Sequence, residues 1–224
     1  GLGNFWHKKI YPQQVWLDGL YMAQVFYTRY ETEFNGGKNY ADIVNQFQNV
    51  YDNMYDKQKR LYYHGWDYSK SAFWADKNSG LSKSFWLRSI GWYTVGLVDA
   101  IGYFDDGAKQ FKDKLIKIFK ETIEGLESYV DPDKKMFWQV VDQKNRNGNY
   151  LETSGSAMIA YAMMKGARLG LVDKKYSALG KSIFDGICKE YLTEKEGKMN
   201  LGGICLMAGL GPGKNPQRDG KFEY

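Results

Sequence analysis

The 224-residue sequence predicts an all-α fold made of helical hairpins arranged in two rows, and three observations lead there. Apolar residues recur at three- and four-residue spacing over most of the chain. The helical segments are of two kinds, and the kinds alternate. A motif also returns after 65 residues, with Phe85-Trp-Leu-Arg-Ser-Ile-Gly91 matched by Tyr150-Leu-Glu-Thr-Ser-Gly-Ser156. Strand signals are few by comparison.

In chain order, Tyr11-Pro-Gln-Gln-Val-Trp-Leu-Asp-Gly-Leu-Tyr-Met-Ala23 runs from an aromatic loop into the first helix. Leu20, Met22, Ala23, Phe26 and Tyr27 predict its buried face, with Asp18 in the first turn. Asn39 to Asp56 is amphipathic, with Tyr40, Ile43, Val44, Phe47, Val50, Tyr51 and Met54 on one side. Leu61-Tyr-Tyr-His-Gly-Trp-Asp67 is a polar, aromatic connection. Arg88 to Tyr103 is apolar on most sides and belongs inside. The pattern repeats with an amphipathic helix over Ala108 to Tyr129, a connection at Met136 to Asp142, an inner helix over Ser154 to Leu169 and an outer one over Tyr176 to Tyr191. Gly19 to Arg29 is the first of these inner helices. Buried inner and charged outer helices in alternation fit a double-layered ring whose inner helix starts line one central face. Three hairpins do not close a wide ring, so a longer parent chain is expected, with residues 1–224 one domain incomplete at both ends. The run Gly202 to Gly211 reads as a buried turn beside the core.

Composition narrows the function classes. With 43% hydrophobic and 17% aromatic residues the chain can bury a sizeable core. Its apolar runs are too short to span a membrane, and residues 1–15 lack the order of a signal peptide. The net charge of +5 is scattered over pairs such as Lys8-Lys9 and Lys174-Lys175, without the basic, aromatic stripe that nucleic acid requires. It is compatible with an acidic small substrate. Cys188 and Cys205 read as packing residues, and with two histidines they give no metal-ligand spacing. The glycines of 202–211 match no phosphate-loop pattern, so no nucleotide or other cofactor is expected. Few cysteines suit the cytoplasm, with a periplasmic location left open.

The chemistry concentrates at the inner-helix starts and the loops feeding them. Asp18 is either an N-cap accepting the Tyr21 amide or a reagent. Arg88 and Trp92, four apart, share a helix face, and a guanidinium beside indoles suits a carboxylate carried on a sugar ring. Alternatively, Arg88 pairs with an internal acid and the tryptophans are core. His64, among Tyr62, Tyr63, Trp66 and Asp67, is either a structural histidine or part of a site. His7 follows Trp6.

The strings WLDGLYMA (16–23), FWLRSIGWY (85–93), YLETSGSAM (150–158) and the ending GLGPGKNPQRDGKFEY resemble glycoside hydrolase family 105, the unsaturated rhamnogalacturonyl hydrolases, which are related to unsaturated glucuronyl hydrolases. The resemblance implies an (α/α) toroid of six helical hairpins acting on short acidic oligosaccharides left by polysaccharide lyases. It implies hydration of the C4=C5 double bond of a terminal unsaturated uronic acid, with no cofactor or metal. Asp18 matches the general acid and base, and His7, Trp16, His64, Trp86, Arg88 and Trp92 match substrate-binding positions. A second aspartate of the family's site has no matching position here. One carboxyl can suffice because the alkene supplies the electrons, whereas ordinary glycosidases need two. Asp18 then needs a raised pKa, which burial favours and a helix N-terminus opposes. A non-catalytic binder of acidic sugars, a two-carboxylate glycosidase and a protein-binding helical scaffold are the competing classes.

Overall fold

The computed structural model describes residues 3–206 together with 209 and 210. Among them are six α-helices: α1 (Leu17–Phe34), α2 (Tyr40–Met54), α3 (Leu87–Tyr103), α4 (Lys109–Glu127), α5 (Thr153–Arg168) and α6 (Lys175–Tyr191). Each predicted helix is present with ends within a few residues, apart from α1, which runs five residues further at its C-terminus. Helices α1, α3 and α5 pack side by side as an inner row. Each is followed by an outer helix, and α2 packs against α4 across the outside.

The division follows composition. Helix α3 has no charged residue between Arg88 and Asp99, and twelve of its seventeen residues are buried. Helix α4 buries only the stripe Leu115, Ile118, Phe119, Thr122, Ile123, Gly125 and Leu126 and turns its lysines outward. The core fills the space between the rows, where Phe47 and Ile43 of α2 and Phe119 of α4 are buried with Leu87, Ile90 and Tyr93 of α3. Inner helices approach closely where side chains are smallest. A Cβ at Gly155 would lie 2.5 Å from Leu87 Cγ and 2.9 Å from the Leu87 carbonyl carbon, so α5 meets α3 backbone to backbone.

Two expectations need correction. The buried face of α1 is Leu17, Leu20, Gln24, Thr28 and Glu31, one stripe round from the predicted one. Met22 and Phe26 are exposed, Phe26 at 72%, and they continue through Tyr30 and Phe34 as an open aromatic stripe. Both stripes have helical spacing, and the choice falls to what they meet. Glu31 is buried because its carboxylate receives the side chain of Asn35, which ends α1, and the amide and side chain of Asn39, which begins α2. In the described part of the Gly202 to Gly211 run, exposed and buried residues are mixed rather than forming a buried turn: Cys205 and Leu210 are buried and Ile204 and Leu206 exposed. Residues 207, 208 and 211–224, with most of the GLGPGKNPQRDGKFEY ending, lie outside the described residues.

Short antiparallel strand pairs join the connections. Strand β1 (Gln14–Trp16) leads straight into α1, while β2 (Tyr55–Asp56) and β3 (Leu61–Tyr62) pair in the loop after α2. Strand β4 (Gly65–Asp67) pairs with β1 in the register Gln14 to Asp67, Val15 to Trp66 and Trp16 to Gly65. Strands β5 (Leu192–Lys195) and β6 (Lys198–Leu201) form an exposed hairpin after α6. The aromatic loops are thus held by backbone ladders.

Candidate active site

The ladder β1–β4 fixes one wall of the site. It brings Trp16, the residue before α1, against the strand that follows His64, and the Leu17 amide donates to the His64 carbonyl at 3.1 Å. Asp18, one residue on, stands with its Oδ2 3.8 Å from His64 Nδ1. The loop before β1 folds back, and the His7 amide donates to the Gln14 carbonyl at 2.8 Å. A continuous aromatic file results. His7 stacks on Trp16 at 4.1 Å with Tyr11 on the same indole at 5.3 Å, and His64 leans on Trp16 at 5.5 Å and on Trp86 at 4.4 Å.

Helix α3 provides the other wall. Trp86 precedes it, held by a bridge to Val140 and by the Leu87 amide donating to the Gln139 carbonyl at 2.9 Å. Arg88 follows in the first turn, and Trp92 sits one turn later, its ring 4.7 Å from that of Tyr21 on α1. All seven predicted site residues, His7, Trp16, Asp18, His64, Trp86, Arg88 and Trp92, therefore lie at the starts of α1 and α3 and in the loops feeding them. Their exposure differs. Trp16 and Trp86 are buried in a cluster with Trp74, Val140 and Leu210, so they form the floor, while Trp92 and Tyr21 are half-exposed.

The electrostatics centre on Asp18. It is not the N-cap of α1. That place belongs to Trp16, and α1 has no side-chain cap. The Asp18 side chain is 22% exposed overall, yet its Oδ2 is fully enclosed and has no hydrogen-bond partner among the described residues. Burial raises the pKa to about 6, against the lowering pull of its own amide and of the Arg88 guanidinium. Desolvation thus outweighs the helix N-terminus. His64, 1% exposed, is held neutral by the same burial, its pKa lowered to about 3, with His7 and Arg88 adding to the effect. His7 is lowered to about 4, by burial and then by Lys8. Both ring nitrogens of His64, Nδ1 of His7 and Nε1 of Trp86 are buried without a partner among the described residues. One buried acid that is partly protonated near neutrality, two neutral imidazoles, one guanidinium and an indole N–H form a site able to move a single proton and to hold a polar, acidic molecule.

Residues beyond the predicted set shape the Arg88 side. Arg88 Nη1 donates to the Cys205 carbonyl, so this arginine is tied to backbone as well as to the field of Asp18. Gln139 is fully buried beside it, its Nε2 3.1 Å from Cys205 Sγ. Glu152 caps α5, accepting from the amides of Ser154 at 3.0 Å and Gly155 at 2.6 Å. Nothing in the sequence around Gln139 marks it. Glu152 stands in the repeated motif immediately ahead of an inner helix, which is the signal that could have singled it out. Among the described residues no group of three or more His, Cys, Asp or Glu could hold a metal ion, and no helix is long and apolar enough to cross a membrane. A groove of about 520 Å³ between α2 and α4, lined by Val44, Gln48, Tyr51 and Lys114, lies on the outer face and not over Asp18.

Two rows of helical hairpins with this chemistry at the inner helix starts are the architecture of the helical-toroid glycoside hydrolases. The chain belongs to one of their families: the model described as Glycosyl Hydrolase Family 88 matches residues 2–219. A solved glycoside hydrolase of family 105 from C. acetobutylicum superposes with a TM-score of 0.91 at 41% identity, over 96% of this chain and 60% of that one. The family 105 expectation accordingly stands. Protein Atu3128 of Agrobacterium fabrum is 34% identical over 176 residues, 73% of this chain and 71% of that protein. The unsaturated rhamnogalacturonyl hydrolase YesR of Bacillus subtilis is 27% identical over 160 residues, 71% of this chain and 43% of the relative. The chain therefore spans less than two thirds of the clostridial protein and less than half of the Bacillus one.

Proposed function

We propose that this chain carries the catalytic acid and the uronate-binding wall of a hydrolase that removes a 4,5-unsaturated uronic acid from the non-reducing end of a lyase-generated, rhamnogalacturonan-type oligosaccharide. The observation that carries the reading is Asp18: a carboxyl whose pKa is raised to about 6 by burial, 3.8 Å from a neutral His64 and within the field of the positive Arg88. Arg88 holds the substrate carboxylate, with its remaining N–H donors arranged in a planar fork. Trp92 and Tyr21 offer ring faces to the sugar, and Trp16 and Trp86 enclose the acid from below. Protonated Asp18 gives its proton to C4 of the enol ether. The aspartate left behind accepts a proton from the water that adds to C5, so the carboxyl is regenerated. The C5 hemiketal then opens by breaking the C5–ring oxygen bond to give a C5 ketone, which leaves C1 a hemiacetal; its bond to the glycosidic oxygen breaks, giving an aldehyde and releasing the neighbouring sugar as the alcohol.

The two-carboxylate alternative is less well supported by the same geometry. At this end of the helices Asp67 accepts the amides of Ser69, Ser71 and Ala72, and Glu152 accepts those of Ser154, Gly155 and Cys205, so both act as loop anchors. The names of the relatives support the substrate class, since one acts on unsaturated rhamnogalacturonyl groups and another is an unsaturated 3S-rhamnoglycuronyl hydrolase. The test follows the ultraviolet absorbance of the enol ether in an unsaturated galacturonyl-rhamnose disaccharide. Absorbance lost with the wild-type protein and retained with Asp18→Asn supports the reading. An unchanged rate in Asp18→Asn, or equal turnover of the saturated disaccharide, overturns it.

A further inference from the structure

The Arg88 guanidinium is aimed by contacts that begin in a different hairpin. Its Nη1 donates to the carbonyl of Cys205, in the segment after β6. That segment is pinned to the start of α5: the Thr153 amide donates to the Gly203 carbonyl and the Thr153 hydroxyl to the Gly202 carbonyl, each at 2.8 Å. The Cys205 amide donates to Glu152 Oε1 at 3.0 Å. Glu152 itself is 0% exposed, and its carboxylate also takes the Ser154 amide and hydroxyl and the Gly155 amide. A carboxylate in that setting has its acceptor capacity filled and its orientation fixed by its own helix. The equivalent positions before α1 and α3 are Trp16 and Trp86, neither of which caps its helix. Helix α5 alone of the inner three therefore begins with a rigid anion reaching outside its own hairpin.

We propose that Glu152 is a positioning residue for Arg88: it holds the Cys205 peptide so that the carbonyl pins one guanidinium nitrogen and leaves the rest of the fork facing the Asp18 wall, ready for a substrate carboxylate. This deepens the proposed function and rests on Arg88 as the carboxylate ligand. A guanidinium is planar, so fixing one nitrogen sets the direction of the other donors. That lowers the entropy cost of a bidentate ion pair.

The substitution that separates this role from helix capping is Glu152→Asp. Aspartate is among the preferred N-caps, so α5 keeps its start, but the side chain is one methylene shorter and releases the Cys205 amide. Binding is measured calorimetrically in the Asp18→Asn background, where turnover is removed. The ligands are the unsaturated galacturonyl-rhamnose disaccharide and its methyl ester. Glu152→Asp should weaken the acid about tenfold and the ester less than twofold, with the melting temperature kept within a few degrees. In an Arg88→Ala background the same substitution should have no further effect. Equal weakening of acid and ester, or a full additional loss in Arg88→Ala, would assign Glu152 a purely structural role. Unchanged binding of the acid in Glu152→Asp overturns the proposal while leaving the proposed function standing. A protein that binds neither ligand overturns both.

Discussion

The starts of α1 and α3 and the start of α5 occupy equivalent places in three successive hairpins, and they have been put to opposite uses. At α5 the cap is spent on structure, with one carboxylate serving three amides and a hydroxyl. At α1 and α3 tryptophans occupy the N-cap positions without capping the helix, and Asp18, His64, His7 and Trp86 retain buried polar atoms without hydrogen-bond partners among the described residues. Leaving such atoms unpaired costs stability at each one. The difference teaches where this molecule leaves buried polar groups unpaired, and where a rigid frame offsets the loss.

The largest effect expected from breaking this contrast is on rate. Asp18→Asn should lower kcat about 10²- to 10⁴-fold, the range for loss of a positioned general acid, read from enol-ether absorbance. On the structural side, Glu152→Ala leaves three buried amides without an acceptor and removes a cap. It should cost about 2–4 kcal/mol in urea unfolding, against a near-neutral or favourable change for Asp18→Asn.

The pH dependence sharpens the same contrast. Asp18 has a folded pKa of about 6 above an unfolded value of 3.8, so the folded state holds the proton longer. Its contribution to stability is therefore present at low pH and lost as pH rises from about 4 to 6, amounting to at most about 3 kcal/mol. Asp18→Asn should accordingly be more stable than the wild type above pH 6, with the gap closing towards pH 4. His64 has the opposite slope. Lowered to about 3 in the fold from 6.5, it withholds a proton that the unfolded chain takes up, so stability falls as pH drops below about 6.5. Turnover, which needs the protonated acid, should fall about tenfold per pH unit well above 6.

Two smaller changes test the frame itself. Gly155→Ala drives a methyl into Leu87 and its carbonyl carbon and should cost about 1–3 kcal/mol, together with a rise in KM as the first turn of α3 shifts beneath Arg88. Phe26→Ser, on the open stripe of α1, should alter the unfolding free energy of this chain by less than about 0.5 kcal/mol, within the usual range for surface substitutions.

The helices were legible because their apolar spacing is long and repeated. Residues 40–54, 109–127 and 175–191 each show about three turns or more of one-sided burial, and α3 is apolar nearly throughout. Which stripe of α1 turns inward was not legible. Two stripes had the right spacing, and the winner, with Gln24, Thr28 and Glu31, is the more polar one, held by contacts from another segment. The strands of two to four residues are too short for an alternating pattern to stand out. That His7, Trp16, Asp18, His64, Trp86, Arg88 and Trp92 would gather at one end of the inner helices was legible because they recur at the same point of successive hairpins. Glu152 was hidden because glutamate is an uncommon cap and its decisive partner, Cys205, lies 53 residues away.

The two-stranded ladder between β1 and β4 also limits how this protein can change length over time. Side chains on a strand alternate faces, so one residue inserted between Leu61 and Gly65 would swing the imidazole at position 64 away from Asp18 while leaving every helix intact. Homologues can be expected to gain or lose residues freely at the exposed tip of the β5–β6 hairpin and hardly at all between Leu61 and Gly65, a contrast that family length statistics can check.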